Sequence, residues 1–317
     1  MKQGEGRGNL WSIVLAGGDG VRTQELVRRW LGAEKPKQYC AFVGSRSMFQ
    51  HTIDRAALLT PPEHVVVVAG RHHQREVWSQ LEGRAPGLVL LQPENLDTAA
   101  GVFLPLTYIL ARDPGATVAI FPSDHFVYPE DRFLEKVEQA LRGSALLFGR
   151  PVLLAAKPDS LELEYGWIQP GKRLAWTGTD VIRAVHSFVE KPDEALTRMV
   201  MATRALWNTM VLVAKAEQLW DLGEMCSPKM MRLFQRLRDA IDTPEELRVL
   251  DAIYGVMPRK NFSSHLLQCK PERLAVMEMR EVLWSDWGHP KRIVQTLEKI
   301  GTRPAFAEEH LPALQAG

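Results

Sequence analysis

Three glycines in four residues, Gly17, Gly18 and Gly20, open the stretch LAGGDGVR at residues 15–22. A backbone with so little side chain turns sharply and approaches a ligand closely, and nucleotide phosphates are the usual guests of such turns. Arg22 closes the stretch, and KPKQ at residues 35–38 adds Lys37. An arginine fork and a lysine point charge on either side of backbone amides suit a polyphosphate. Further on, FPSDH at residues 121–125 carries Asp124 at the end of an apolar run. A carboxylate at a strand end can hold Mg2+, which takes one or two carboxylates with phosphate oxygens and waters.

Other glycine loops fit less well. A dinucleotide fingerprint counted from Gly18 requires glycine where Thr23 stands, and no convincing acidic partner follows the second strand. No G-x-x-x-x-G-K-[ST] loop is present. His72 and His73 are adjacent, so on a helix they would diverge as surface residues and not act as ligands. His125 is expected on the opposite face of the chain from Asp124, in a structural role. Trp167 is the best candidate for sugar stacking, whereas Trp11, Trp207 and Trp284 read as core or near-core.

The elements that must hold these residues alternate. Strands are expected at Trp11–Ala16, His64–Gly70, Leu88–Gln92 and Thr117–Phe121. Helices are expected at Ser47–Leu59, Gln74–Leu81, Thr98–Ala111 and Glu130–Leu141. Such alternation implies βαβ units and a mostly parallel sheet, whose ligands gather at the carboxyl ends of the strands. GGDGVR, QPENLDTAA and PSDH each follow a predicted strand, so they should share one rim. Beyond Gly149, EYGWIQPG and VIRAVHSFVEKP read as a partly antiparallel region. Helices follow near Asp193–Thr203, Pro228–Ala240, Pro244–Tyr254 and Pro290–Ile300. No linker separates two independent domains. The reading is therefore a single domain over 1–317, with halves at about 11–150 and 151–300 and a loosely held tail over 301–317.

Composition sets outer limits. The chain has 317 residues, 45% hydrophobic and 24% charged, with net charge +1. These are ordinary globular values, and they supply no field to draw nucleic acid or an anionic membrane. The three cysteines, Cys40, Cys226 and Cys269, are scattered, which fits a reducing cytoplasm better than a disulfide framework or zinc site. No apolar run reaches the length of a membrane span or a signal-peptide core.

The ordered set LAGGDGVR…KPKQ, PEN..TA, FPSDH, YGWIQPG, FVEKP, LWNT and WSDWG resembles the sugar-1-phosphate nucleotidyltransferases, most closely the mannose-1-phosphate guanylyltransferases, over residues 11 to 300. Each motif alone is weak; the order is specific. The resemblance implies a Rossmann-like nucleotidyltransferase fold. It implies Mg2+-assisted attack of a sugar-phosphate oxygen on the α-phosphorus of an NTP, GTP first, with mannose 1-phosphate as the first sugar. By this resemblance Arg22 and Lys37 are the catalytic cations, and Asp286 joins Asp124 on the metal. Leu15, Ala16, Gly17, Gly18 and Gly20 hold the nucleotide, with Asn95 and Thr98 at base and ribose. Thr98 or Asp97 would also serve as a helix cap. Gly166, Glu190, Lys191 and Asn208 form the sugar-phosphate pocket. These folds often dimerise, so the resemblance admits a homodimer, but the sequence does not fix the oligomeric state.

Several positions depart from the family pattern. Leu96 and Asp97 stand where the family reads Arg-Gly, which bears on base choice. Met210 stands where it often carries Gly, and His265 replaces an Asp. RRWLGAEK at residues 28–35 reads as a longer lid with extra cations, Arg28 and Arg29. The chain ends soon after this core, so neither a fused isomerase domain nor a left-handed β-helix is expected. The competing function is a catalytically silent paralogue that binds nucleotide or NDP-sugar and regulates a partner.

Overall fold

The computed structural model describes residues 8–312. The first half runs β1 (Leu10–Ala16), α1 (Gln24–Leu31), α2 (Met48–Leu59), β2 (Val65–Gly70), α3 (Gln74–Gln80), β3 (Leu88–Gln92), α4 (Asp97–Arg112), β4 (Thr117–Pro122), β5 (Phe126–Tyr128) and α5 (Glu130–Leu146). The second half runs β6 (Val152–Ala156), β7 (Gly166–Thr177), β8 (Asp180–Glu190), α6 (Glu194–Met201), β9 (Leu206–Lys215), α7 (Ala216–Cys226), α8 (Pro228–Ala240), α9 (Glu246–Tyr254), β10 (Ala275–Glu278), β11 (Leu283–Ser285) and α10 (Pro290–Lys299).

Nine strands form one sheet in the order β3-β2-β1-β4-β9-β6-β10-β8-β7. β9 and β8 pair antiparallel with their neighbours, so they oppose the common direction of the others. The sheet is therefore mostly parallel, as expected, with its antiparallel pairings in the second half. Parallel strands are covered on both faces and read as unbroken apolar runs. VVVVAG of β2 is buried at every residue, and β1 is nearly so.

Helices lie on both faces. α4 is apolar all round because it is enclosed: the sheet lies on one side and α7 and α8 on the other. α2, α3 and α5 cover the opposite face, around Phe49, Phe121 and Phe133. Local signals set several starts. Ser47 and Gln50 form a capping box at α2, with side chain to backbone distances of 3.1 Å in both directions. Asp193 caps α6 by accepting from the Leu196 amide at 2.8 Å.

Three expectations are corrected here. The first half of the segment read as a lid, Arg28–Leu31, is the end of α1, which is anchored by buried Leu26 and Val27 and stopped at Gly32, whose φ of 72° is the left-handed helix terminus. Arg28 and Arg29 are spent on Glu34 and Glu25 at 3.6 and 2.6 Å. α7 was not expected, because it follows β9 without a break. The tail is not loose as far as the described residues run. Phe306 is buried against Trp30 and Phe42, and Ala305 donates to the Phe42 carbonyl at 2.8 Å.

Candidate active site

At the carboxyl end of β1 the chain enters the glycine turn. Gly20 has φ 61°, and a side chain there would put Cβ 2.9 Å from the Lys37 amide nitrogen. Glycine is thus required twice, for conformation and for the close approach of the Lys37 segment. Gln38 braces the turn from beneath, donating to the carbonyls of Ala16 at 3.0 Å and Gly18 at 2.7 Å. Tyr39 donates to the same Ala16 carbonyl at 3.1 Å. The sequence held Gln38 in KPKQ, but only the fold shows what it supports.

A cleft of about 400 Å³ follows. It brings together Leu15, Ala16, Gly17 and Gly18 of the turn, Asn95, Asp97 and Thr98 at the start of α4, and Asp124 and His125 after β4. The three stretches expected on one rim do share it. Gln92, the first residue of QPENLDTAA, and Met210, the departure noted above, complete the wall with Arg259, which sequence reading did not single out. Gly20, Arg22, Lys37 and Asp124 line a smaller adjoining hollow with Gly288.

Asp124 and Asp286 are far apart in the chain and are positioned by one small device. β5 begins just after Asp124 and β11 ends just before Asp286; the two strands pair antiparallel with Ser285 opposite Phe126. Lys37, whose side chain is 5% exposed, lies between the two loops. Its Nζ is 3.0 Å from Asp124 Oδ2 and donates to the Asp286 carbonyl.

The electrostatics follow from this placement. Desolvation would raise the Asp124 carboxyl, but Lys37 first and His125 second outweigh it and hold the group below its ordinary value. Desolvation would likewise raise Asp286. Lys37, Arg292 and the Tyr165 hydroxyl reverse this and drive it well below the carboxylate range. Asp286 Oδ1 accepts from Tyr165 at 2.6 Å, from Arg292 at 2.9 Å and from the Gly288 amide at 2.9 Å. Each of the two carboxylates therefore stays ionised, and each raises the other's cost of ionisation. Arg22 pairs with Glu164 and lies 3.5 Å from Asp286 Oδ2. Glu162 and Arg292 were missed by sequence reading, since nothing local marks them; Glu164 and Tyr165 lie in the quoted EYGWIQPG stretch, but no role was read for either.

A second group gathers where β7, β8 and β9 meet. Gly166 lies against Glu190 and Asn208: a Cβ at Gly166 would be 2.5 Å from Glu190 Oε2 and 3.2 Å from Asn208 Cβ. Burial pushes the Glu190 carboxyl up to about 7, and its Oε2 has no hydrogen-bond partner. Lys191 follows at φ 48° on the exposed side. A bulge in β9 re-aims this region: the register jumps from Leu154↔Val211 to Ala155↔Asn208, with Met210 at φ 56°. Asn208 Oδ1 accepts from the Met210 amide at 3.2 Å, which links this group to the wall of the cleft. The positive φ is the physical reason that glycine suits position 210.

Asn95 and Thr98 are already engaged. Asn95 Nδ2 donates to Asp19 at 3.0 Å, and Thr98 Oγ1 accepts from the Phe262 amide at 2.8 Å. α4 has no side-chain cap; Asp97 has φ 69°, and the Ala99 amide bonds the Lys260 carbonyl at 3.0 Å. His265 is exposed and bonds locally, with Nδ1 3.2 Å from the Asn261 carbonyl.

Three side-chain expectations fail. His125 does not face away from Asp124: its Nε2 is 3.6 Å from Asp124 Oδ1, and its Nδ1 is 3.3 Å from the Trp284 indole nitrogen. His72 and His73 do not diverge, because residues 71–73 form a 3-10 turn rather than a helix end, and both rings turn toward Asp19. Trp167 is 1% exposed and donates to the Glu162 carbonyl at 2.9 Å, so it is not free to stack on a sugar. Trp11, Trp207 and Trp284 are buried, as expected.

The chain is similar to known proteins along most of its length. The profile of the nucleotidyl transferase family matches residues 11–303. The alginate biosynthesis protein AlgA of Pseudomonas aeruginosa is 30% identical over 213 residues, which is 65% of this chain and 42% of that protein. A mannose-1-phosphate guanylyltransferase of Escherichia coli is 25% identical over 285 residues, 88% of this chain and 60% of the other. The chain spans about half the length of these curated relatives. A crystal structure from Thermus thermophilus, described as a mannose-1-phosphate geranyltransferase, superposes with a TM-score of 0.75 at 24% identity, over 91% of this chain and 79% of that one. That last likeness concerns the fold. Among the described residues no helix is long and apolar enough to cross a membrane.

Proposed function

The chain belongs to the nucleotidyl transferase family, and from that premise we propose that it joins a nucleoside triphosphate to a sugar 1-phosphate, releasing pyrophosphate. GTP and mannose 1-phosphate are the proposed pair, because relatives along most of the chain include a protein named for that reaction. The observation that carries the activity is Lys37, buried between Asp124 and the Asp286 loop at the mouth of the glycine turn.

In this reading an oxygen of the sugar phosphate attacks the α-phosphorus. A new P–O bond forms, the α–β anhydride breaks, and its electron pair leaves with pyrophosphate. Such transfers rest on in-line positioning and charge neutralisation. The amides of Gly17, Gly18 and Gly20 receive the phosphates. Lys37 neutralises charge from below, and Arg22 does so after exchanging Glu164 for a phosphate oxygen. Glu190 and Asn208 bond sugar hydroxyls, and Lys191 receives the sugar phosphate. Asn95 and Thr98 border the base and ribose, and the changes at Leu96 and Asp97 place base choice beside Arg259.

Two ionised carboxylates, Asp124 beside Lys37 and open to the cleft, and Asp286 held through Oδ1 by Tyr165 and Arg292 with Oδ2 toward Arg22, form an all-oxygen donor set that fits Mg2+. Asp124 and Asp286 would hold it. When bound it neutralises phosphate charge and orients the α-phosphate.

The test is pyrophosphate release with Mg2+ over four NTPs and several sugar 1-phosphates, with Asp124→Ala and Lys37→Ala as controls. Release with GTP and mannose 1-phosphate, lost in both variants, is expected. Another productive pair would move the specificity and keep the chemistry. Silence from folded protein that still binds nucleotide would overturn the enzyme and favour a regulatory nucleotide binder.

A further inference from the structure

Asp19 sits inside the glycine turn, between Gly18 and Gly20, where the proposed reaction places phosphates. A bare carboxylate there would repel them. The structure surrounds it instead with imidazoles. Asp19 Oδ1 is 2.8 Å from His72 Nε2 and 3.5 Å from His73 Nε2, and these donor atoms all lie within 4.8 Å of one another. Asp19 Oδ2 is held by Asn95 Nδ2 at 3.0 Å, which fixes the carboxylate plane.

The arrangement is built rather than incidental. The His72 ring lies directly over Gly70, where a Cβ would meet Cε1 at 2.5 Å and Nδ1 at 2.8 Å. Gly70 has φ −71°, a value any residue adopts, so glycine is needed here for space alone. His73 is 7% exposed and sits edge-on to Tyr39 with ring centroids 5.7 Å apart. The two imidazoles themselves lie 3.9 Å apart. Desolvation, with His72 beside it, lowers the proton affinity of His73 and favours the neutral ring that binds metals. Desolvation would raise Asp19, but its bonds to His72 and Asn95 outweigh this and keep it anionic.

We propose that Asp19, His72 and His73 bind a transition-metal cation of the Zn2+ or Co2+ class at the edge of the glycine turn, separate from the Asp124–Asp286 pair. Two imidazole nitrogens and one carboxylate select such ions, whereas an all-oxygen pair suits Mg2+. A four-coordinate ion with bonds of about 2.0–2.1 Å holds its donors roughly 3.4 Å apart, so the donors, all within 4.8 Å of one another, need shifts from tenths of an ångström to roughly 1.4 Å. Three protein ligands leave one position open, to water or to a phosphate oxygen. The bound ion turns the one acidic side chain of the turn into a phosphate-attracting centre. Metal binding itself does not rest on the proposed activity; only the coupling to nucleotide does.

The test titrates tag-free full-length protein with Co2+ and follows its visible ligand-field absorption, with Zn2+ competing for the same site. The wild type and Asp124→Asn should both develop the band, and Zn2+ should abolish it. His72→Ala, at a side chain 52% exposed, should weaken Co2+ binding by about tenfold or more, and Asp19→Asn likewise. Gly70→Ala retains every ligand but displaces His72, and should weaken binding too. Thermal unfolding identifies any variant that fails to fold, and the exposure of His72 keeps the test intact if another does. Equal affinity and spectrum in wild type, His72→Ala and Asp19→Asn would overturn the site. So would loss of the band in Asp124→Asn alone, or no band in the wild type at a modest excess of Co2+. With the site established, GTP should perturb the Co2+ band. A band that ignores every nucleotide would retain the metal and overturn its coupling to phosphate.

Discussion

Two lysines are buried among the described residues, and their surroundings differ in one respect. Lys136 on α5 bonds Asp180 at 2.7 Å, with the side chains 6% and 3% exposed. Lys37 meets Asp124 at 3.0 Å and is equally buried, but Asp124 is 37% exposed and opens into the cleft. The Lys136 pair is sealed at both ends, so neither partner can take another ion. Lys37 is sealed, yet its counter-ion faces solvent and stands beside a second carboxylate loop. A buried charge alone does not mark a functional site. A buried charge whose partner remains open to exchange is a stronger sign.

The comparison is broken most directly at the sealed pair. Lys136→Met leaves Asp180 buried without a cation and should cost about 3–5 kcal/mol of stability. Thermal unfolding should show a large drop in Tm, while pyrophosphate release per folded molecule is unchanged. Lys37→Met should do the reverse, lowering release by about 10²–10³-fold with a smaller fall in Tm. Loss of activity in the first variant, or unaltered activity in the second, would dissolve the distinction.

Asp286→Asn removes charge and keeps shape. The Mg2+ concentration for half-maximal rate should rise about 10–100-fold, measured by Mg2+ titration at saturating substrates.

Glu190 sharpens the contrast from the other side, as a half-buried carboxylate whose desolvation outweighs the neighbouring Lys191. Its folded value is raised from 4.5 to about 7, so the folded state binds the proton more tightly than the unfolded chain does. Its contribution to stability is full below pH 4.5 and is lost as pH rises through 7. Glu190→Gln should therefore match the wild type near pH 4.5 and exceed its Tm by about 2–4 °C at pH 8. A gap that shrinks with rising pH would refute the assignment.

Arg198→Ala serves as the floor of the scale. Its pair with Glu194 is 2.5 Å long but exposed at 67% and 59%, and its loss should change stability by about 0.5 kcal/mol or less.

Much of the fold was legible locally. β3 and α8 fall where hydrophobic runs and a leading proline place them, at Leu88–Gln92 and Pro228–Ala240. Burial on both faces writes itself into a parallel strand as an unbroken apolar run, and caps mark helix ends within a few residues. α1 escaped because its buried side is narrow and its sequence is rich in charge. α7 escaped because no breaker separates it from β9.

The sequence by itself determined the alternating strands and helices, the glycine turn with Arg22 and Lys37 near it, and the acidic residue after β4. Those are short-range facts, set by backbone sterics and by periodicities of two and 3.6 residues. Only the tertiary structure decided that β5 and β11 pair and so bring Asp286 to Lys37. It alone turned His72 and His73 onto Asp19 and sealed Trp167 from any sugar. Each of these depends on which distant segments share a neighbourhood. Strand order and the packing of whole elements fix that, and no local pattern of residue types encodes it.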